Sequence, residues 1–426
     1  MFILLSLYEL LHNNHCTVKP HQDQLKKAIF KLLYYNGALS VAEVSTRANK
    51  SVPNVTSIMN GMLKDGHVVE HGLAPSTGGR RAVTYRLNKK VKTYIIAIAM
   101  DQFVTRIILY NLANEPAYPE KIFSLPLPDN PDAFRQLCIA IDRYITSANV
   151  KRENIVGVGI AMPGFIDVEK GVNATFLTDN ESIGLRDRLI QRLGLPVYIE
   201  NDSSAIAIAE LHFGAAKGLR DVMVVNMGWG IGLGMIVNGS LFRGHNGYAG
   251  EFSHIPLSHS NKLCSCGKRG CMEVDASLLV AVENAKQAIA EGTTSSLQQL
   301  FAAPTKSEGD HLIDAARKGD QLAITTISDA AFMMGKGIAT LIHIMNPERI
   351  VLSGRGAATG GLLLPPVQRA INEFCIPKLV ENTTVVVSNL GYEAELLGAA
   401  SLIIENSRPQ QLMKNHLQRK PQYTTS

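Results

Sequence analysis

Apolar and polar positions divide the chain into two kinds of pattern. Over residues 24–35, Leu25, Ile29, Leu32 and Leu33 recur at helical spacing with Lys26, Lys27 and Lys31 opposite them, and Asn36-Gly37 stops the run. Ser40, with Glu43 three residues on, predicts a capped short helix whose apolar side is Val41, Val44 and Ala48, broken by Asn49-Lys50. A third helix follows from Val55, Ile58, Met59, Met62 and Leu63; Ser51 stands at its cap, Pro53 in its first turn, and Asp65-Gly66 at its end. Residues 68–70 and 83–87 then alternate like two strands around the tip Ser76-Thr77-Gly78-Gly79-Arg80-Arg81.

From Thr93 the pattern becomes strands and helices in alternation. Residues 94–100, 104–110 and 155–161 read as nearly all-apolar strands, which implies sheets buried on both faces. Residues 195–200 read as another strand, ending at Asn201-Asp202 before an alanine-rich helix over 203–212. Strand 222–226 runs into a glycine loop over 228–234, and strand 349–353 into Gly354-Arg355-Gly356. Two such loops, with Asp101 and Asp202 at strand ends, predict a cleft at the carboxyl ends of strands where backbone N–H groups could hold phosphate.

Charge sharpens this division. Through Lys92 there are 13 Lys and Arg against 5 Asp and Glu, a net of +8, whereas the other 334 residues carry 29 against 32, a net of −3. A basic helical module on a near-neutral body points to a polyanion for the module and a different task for the body. Helix, short helix, turn, helix and hairpin is the winged helix-turn-helix order, whose last helix lies in the major groove of DNA. Its expected contacts are Ser51, Asn54, Thr56, Ser57, Asn60 and Lys64 on the helix, with Arg80 and Arg81 on the wing. A trihelical protein-binding module shares the helix pattern but not the charge or the arginine tip. At 426 residues, 46% hydrophobic and 19% charged, the chain has the material for several cores and is neither disordered, collagen-like nor coiled coil. Residues 1–11 lack the basic start and cleavage site of a signal peptide, and no apolar run reaches membrane-span length, so no membrane insertion and a cytoplasmic location are expected.

Three of six cysteines fall within eight residues, as Cys264-x-Cys266-x4-Cys271. That spacing reads as a zinc knuckle, and His254, ten residues earlier, is the candidate fourth ligand of a closed structural site.

At these residues the chain resembles the ROK family of repressors, open reading frames and sugar kinases. Residues 264–273, Cys-Ser-Cys-Gly-Lys-Arg-Gly-Cys-Met-Glu, resemble its zinc signature C-x-C-G-x-x-G-C-x-E; residues 247–254 resemble G-x-A-G-E-x-G-H; and Glu200-Asn201-Asp202 resembles the E-N-D sugar motif. The amino-terminal module and its S-T-G-G-R-R tip match the repressor branch. The resemblance implies an α/β chain: a winged helix-turn-helix domain at 21–90 after an extension at 1–20, then a two-lobed actin-like ATPase fold. Lobe 1 would span 91–212 and lobe 2, with the zinc loop, 213–408; the last helix would return to lobe 1, before a flexible tail at 409–426. It implies Asn201, Asp202, Glu251, His254 and Glu273 as sugar-binding residues, and Asp202 as the catalytic base if kinase activity is retained.

Departures from the family pattern bear on that chemistry. The first phosphate loop reads Asp101-Gln102-Phe103-Val104-Thr105 instead of D-x-G-x-T, and Asn226 and Trp229 stand where threonines are usual. The nucleotide loops, with Asp101, Thr105, Gly228, Gly230, Gly232, Gly354 and Gly356, are therefore read as degenerate, and bound ATP with magnesium is not expected. Ser253 replaces a glycine in the Glu-to-His turn. The expected function is a sugar-responsive repressor of carbohydrate genes, with an operator DNA and a sugar or sugar phosphate as partners. A homodimer or tetramer, and a sugar-transport protein as a further partner, complete the expectation. The alternative is an ATP-dependent hexose or N-acetylhexosamine kinase with a DNA-binding module attached.

Overall fold

A computed structural model describes residues 20–75, 81–178, 183–302 and 306–413. The chain divides into two compact units, Met1–Val91 with Ser407–Ser426, and Lys92–Asn406.

In the first unit, α1 (Pro20–Asn36), α2 (Val41–Ala48) and α3 (Val52–Lys64) pack around Ile29, Phe30, Leu33, Val44, Val55, Met59 and Met62, all essentially without solvent exposure. The capping box at Ser40 forms: Glu43 N donates to Ser40 Oγ and Ser40 N to Glu43 Oε2. Asn49 takes the left-handed conformation at the end of α2, φ 49°, and so turns the chain toward α3. Ser51 stands at the cap of α3, but its side chain makes no capping bond. A three-stranded antiparallel sheet in the order β1-β3-β2 closes the unit, with β1 (Leu39–Ser40), β2 (Val68–Leu73) and β3 (Val83–Leu87). Two-residue β1 has too little pattern to be read from sequence. The expected flexible tail differs at its start, because Pro409–Leu412 forms a helical turn, Leu412 is buried, and Gln410 Nε2 donates to Asp23 Oδ2 at 2.7 Å. Two adjacent apolar residues, Leu412 and Met413, after a polar stretch carry no periodicity, which is why this turn was illegible. Residues 1–19 and 414–426 lie outside the described residues.

The second unit repeats one topology twice. Its first lobe carries β4 (Tyr94–Met100), β5 (Val104–Asn111), β6 (Pro116–Ser124), β7 (Ile155–Met162), the small pair β8 (Ile166–Asp167) and β9 (Val172–Asn173), and β10 (Val197–Asn201). Its sheet runs β10-β7-β4-β5-β6, with β10, β7 and β4 parallel and the β4-β5-β6 meander antiparallel. The second lobe's β11 (Val222–Met227), β12 (Ile231–Val237), β13 (Ser240–Phe242), β14 (Arg349–Ser353) and β15 (Thr384–Val387) run β13-β12-β11-β14-β15 with the same senses. Helices α4 (Ala133–Ser147) and α5 (Leu185–Leu193) cover the first sheet through Leu137, Ile141 and Leu189. Of the helices after β10, α6 (Asp202–Phe213) lies against β11 and β12, whereas α7 (Leu278–Ala290), α8 (Glu308–Arg317), α9 (Gln321–Met345) and α10 (Leu364–Phe374) build the second core. The last helix, α11 (Glu393–Asn406), returns to pack on β4, β7 and α6. No helix among the described residues is long and apolar enough to cross a membrane.

The supposed glycine loop over 228–234 is a tight turn followed by β12, and Gly232 and Gly234 are strand residues. A Cβ on Gly232 would lie 1.9 Å from Ser203 Oγ, so the glycine is there to let α6 approach the sheet and not to admit phosphate.

Candidate functional site

A cavity of about 460 Å³ opens between the two sheets of the second unit. Asn201 ends β10 and caps α6: its Oδ1 accepts from Ser203 N at 3.0 Å and Ser204 N at 3.2 Å, while its Nδ2 donates to Gly164 O. Asp202, the first residue of α6, accepts from Ser203 N at 2.7 Å and Ser203 Oγ at 3.1 Å through Oδ1 alone. Burial pushes its carboxyl up to about 6, and the Glu251 and Asp101 charges push the same way. Glu251 precedes a 3-10 turn over Phe252–His254, and Glu273 accepts from Ile231 N at 3.3 Å. All five expected sugar-binding residues, Asn201, Asp202, Glu251, His254 and Glu273, line this one cavity. Ser253, the departure in the Glu-to-His turn, is buried and lines the same cavity as Glu273. Phe165 and Tyr248 meet edge to face at 6.1 Å on the wall.

His254, Cys264, Cys266 and Cys271 converge with their ligand atoms within 4.8 Å of one another. Cys264 Sγ is 3.6 Å from His254 Nδ1, and Cys266 Sγ is 3.6 Å from Cys271 Sγ. Gly267 and Gly270, both at φ 82°, turn the knuckle, and Cys264 N donates to Lys268 O. This donor set can hold a metal ion such as zinc. His254 turns its other nitrogen to the cleft, with Nε2 3.8 Å from Glu251 Oε2, so one ring faces both the cluster and the sugar-type residues.

The end of the cleft between the β4–β5 turn and the loop after β14 is occupied by side chains. Asp101 Oδ1 accepts from Phe103 N and Val104 N, both at 2.7 Å. Asp101 Oδ2 accepts from Arg355 Nη2 at 2.8 Å and Trp229 Nε1 at 3.2 Å. Arg355 Nη1 reaches Asp310 Oδ1 and Ser307 Oγ, each at 2.9 Å, and the Tyr392 hydroxyl also bonds Asp310. The guanidinium stacks 5.3 Å from the Trp229 ring and 5.0 Å from the Tyr392 ring, and Phe103 meets Trp229 at 5.5 Å. Gly228 and Gly230 form the turn between β11 and β12 and bond each other, N to O, at 2.8 Å. Gly354, φ 77°, packs against Asn226, and Gly356 against Met227. Thr105 is sealed in β5, with its Oγ1 unpartnered among the described residues, and does not reach the cavity.

Sequence reasoning missed this cluster of Arg355, Asp310 and Tyr392, and with it Glu395. The available signal was Arg355 itself, a large cation between two glycines at a strand end. Glu395 lies at the base of the cleft, 3.9 Å from Arg106; burial pushes it up to about 7, against the pull of Arg106 and with the push of Asp202 and Asp101.

In the first unit, Ser51, Asn54, Ser57, Asn60 and Lys64 are exposed along α3. Thr56 is half-buried and its hydroxyl donates to Val52 O at 2.8 Å, so it is spent on the helix backbone. Arg81 is exposed and its guanidinium bonds Ala74 O and Leu73 O. Arg80 lies outside the described residues.

The sequence profile of the ROK family matches residues 96–406. The chain is 30% identical over 396 residues to a xylose repressor of Caldicellulosiruptor bescii, spanning 92% of this chain and 98% of that protein, which has to include part of the first 91 residues. It is 33% identical over 250 residues to a glucokinase of Thermotoga maritima, spanning 58% of this chain and 79% of that protein. Among solved structures, a ROK family transcriptional regulator, a homolog of the Escherichia coli MLC protein, superposes with a TM-score of 0.73 at 22% identity, over 93% of this chain and all of that one.

Proposed function

This chain belongs to the ROK family, and on that premise we propose that it is a sugar-responsive, DNA-binding transcriptional repressor of carbohydrate uptake or catabolism genes. The observation that carries the reading is the near full-length match to a repressor, first unit included. The first unit supplies a winged helix-turn-helix: α2 and α3 as the helix pair, β2 and β3 as the wing. Its exposed α3 residues Ser51, Asn54, Ser57, Asn60 and Lys64 suit base edges and phosphates, and Arg80 and Arg81 suit phosphate or minor-groove contact. The second unit offers a sugar the paired acceptors and donors of Asn201, Asp202, Glu251, His254 and Glu273; buried polar groups left unpaired by a wrong ligand would discriminate against it.

His254, Cys264, Cys266 and Cys271 would hold zinc. The 3.6 Å ligand separations agree with a tetrahedron built on Zn–S bonds of about 2.3 Å and Zn–N bonds of about 2.0–2.1 Å. Filled by four protein ligands, such a site is structural, and it fixes the His254 ring for the cleft.

A ligand changes DNA affinity only by its preference for one lobe arrangement over another, typically about 1–3 kcal/mol. We assign the protein to the cytoplasm, as a homodimer or tetramer whose paired reading heads suit a palindromic operator. The kinase alternative keeps Asp202 as its base, but Asp101 has spent the Phe103 and Val104 N–H groups, and Arg355 and Trp229 fill the phosphate path. The test is fluorescence anisotropy on the DNA upstream of the protein's own coding sequence, with and without D-xylose, D-glucose and N-acetyl-D-glucosamine. Tight, salt-dependent binding altered by one of these sugars is expected; DNA binding indistinguishable from that of random DNA, or indifferent to every sugar, overturns the reading.

A further inference from the structure

The charges around the cleft are one-sided. Its acidic and basic lining among the described residues is Asp101, Asp202, Glu251, Glu273 and Glu395 against Arg355 and His254, with no lysine. Both positive groups are already committed. Arg355 divides its guanidinium between Asp101 and Asp310, and His254 stands between Cys264 and Glu251.

Five of the backbone donors around the cleft are committed as well. Phe103 N and Val104 N bond Asp101, Gly228 N bonds Gly230 O, and the first amides of α6 bond Asn201 Oδ1. Arg355 thus stands as a resident counter-ion where the two strand-end loops meet, held by two carboxylates and two aromatic rings.

We propose that Arg355 closes the anion-binding end of the cleft, so that the effector is an unphosphorylated, uncharged sugar and sugar phosphates are rejected. The inference rests on the sugar-responsive reading above and narrows its ligand. A hydroxyl can donate to the free oxygen of Asp202; a phosphate ester would bring a near-dianion beside carboxylates that already repel one another, with no unspent cation to meet it.

The experiment is calorimetric titration of the full, zinc-loaded chain at pH 7.5 with D-xylose, D-glucose and N-acetyl-D-glucosamine, each paired with its monophosphate ester. A free sugar is expected to bind at least about tenfold more tightly than its ester. An ester that binds equally or better overturns the inference and leaves the sugar-responsive reading standing, whereas silence from all six compounds removes both. In Asp101→Asn one carboxylate is lost and half of the Arg355 fork is released, so the preference for the free sugar is expected to shrink by about tenfold. An unchanged preference overturns the role given to Arg355.

Discussion

Arg355 and Asp101 join the two sheets of the second unit by a charged bond of 2.8 Å, although 254 residues separate them. Both side chains are largely withdrawn from water, and Asp310 shares the same guanidinium. Arg355→Ala leaves two carboxylates facing each other without a counter-ion. Loss of one partner from such a pair costs about 3–5 kcal/mol when fully buried, and with the remaining exposure about 2–4 kcal/mol is expected. Urea denaturation followed by tryptophan fluorescence reads it, since Trp229 is the chain's one tryptophan and touches Arg355; an unmoved midpoint would show that the pair holds nothing.

Two raised carboxyls give the second unit a pH dependence. Glu395 rises to about 7 and Asp202 to about 6, above their unfolded values near 4.5 and 3.8. The folded state therefore holds these protons more tightly than the unfolded chain. That contribution to stability is complete below the unfolded values and is lost as pH rises through about 6 and 7. Glu395→Gln removes one share, so melting curves from pH 5 to pH 8 are expected to place the variant higher relative to wild type at pH 8 than at pH 5, by of order 1–3 kcal/mol. Parallel wild-type and variant profiles would contradict the assignment.

At the metal cluster, Cys266→Ser is expected to lower bound zinc from about one equivalent toward zero and to weaken sugar binding with it, because the His254 ring loses its anchor. Elemental analysis and calorimetry on the same preparation read both quantities. A variant that keeps a full equivalent refutes the four-ligand assignment.

For the DNA-binding face, Arg80→Ala with Arg81→Ala should weaken binding alike on operator and random DNA, and reduce the salt slope by as much as about two. Asn54→Ala should instead cost about 1–3 kcal/mol on the operator alone. Anisotropy titrations over a salt series separate the two, and a wing variant that loses only operator preference would exchange their roles.

Much of this was legible because it is local. The three amino-terminal helices announced themselves by period and caps, and the metal cluster by three cysteines and a histidine close in sequence. The five sugar-type residues came from motif resemblance, and the fold gathers them because Asn201-Asp202 ends one sheet's strand while residues 251–273 hang from the other sheet. What failed was non-local or ambiguous. Gly232 reads as loop because nothing in sequence says that α6 crosses there. Strand β6 was missed because a solvent-facing edge with Pro116, Pro119, Glu120 and Lys121 carries little apolar alternation. The Asp101–Arg355–Asp310 cluster has no local signature beyond Arg355 itself, a cation between two glycines, because its partners lie far away in sequence.

The helical turn at Pro409–Leu412 gives the first unit a seam. Both ends of the described chain are stitched into the same body, so a stop codon after Ser407 would remove the seat of Leu412 and the Gln410 tie to Asp23 from the operator-reading half. A carboxy-terminal truncation or fusion, which on sequence order would be blamed on the sugar half, would announce itself first as a fault in DNA reading.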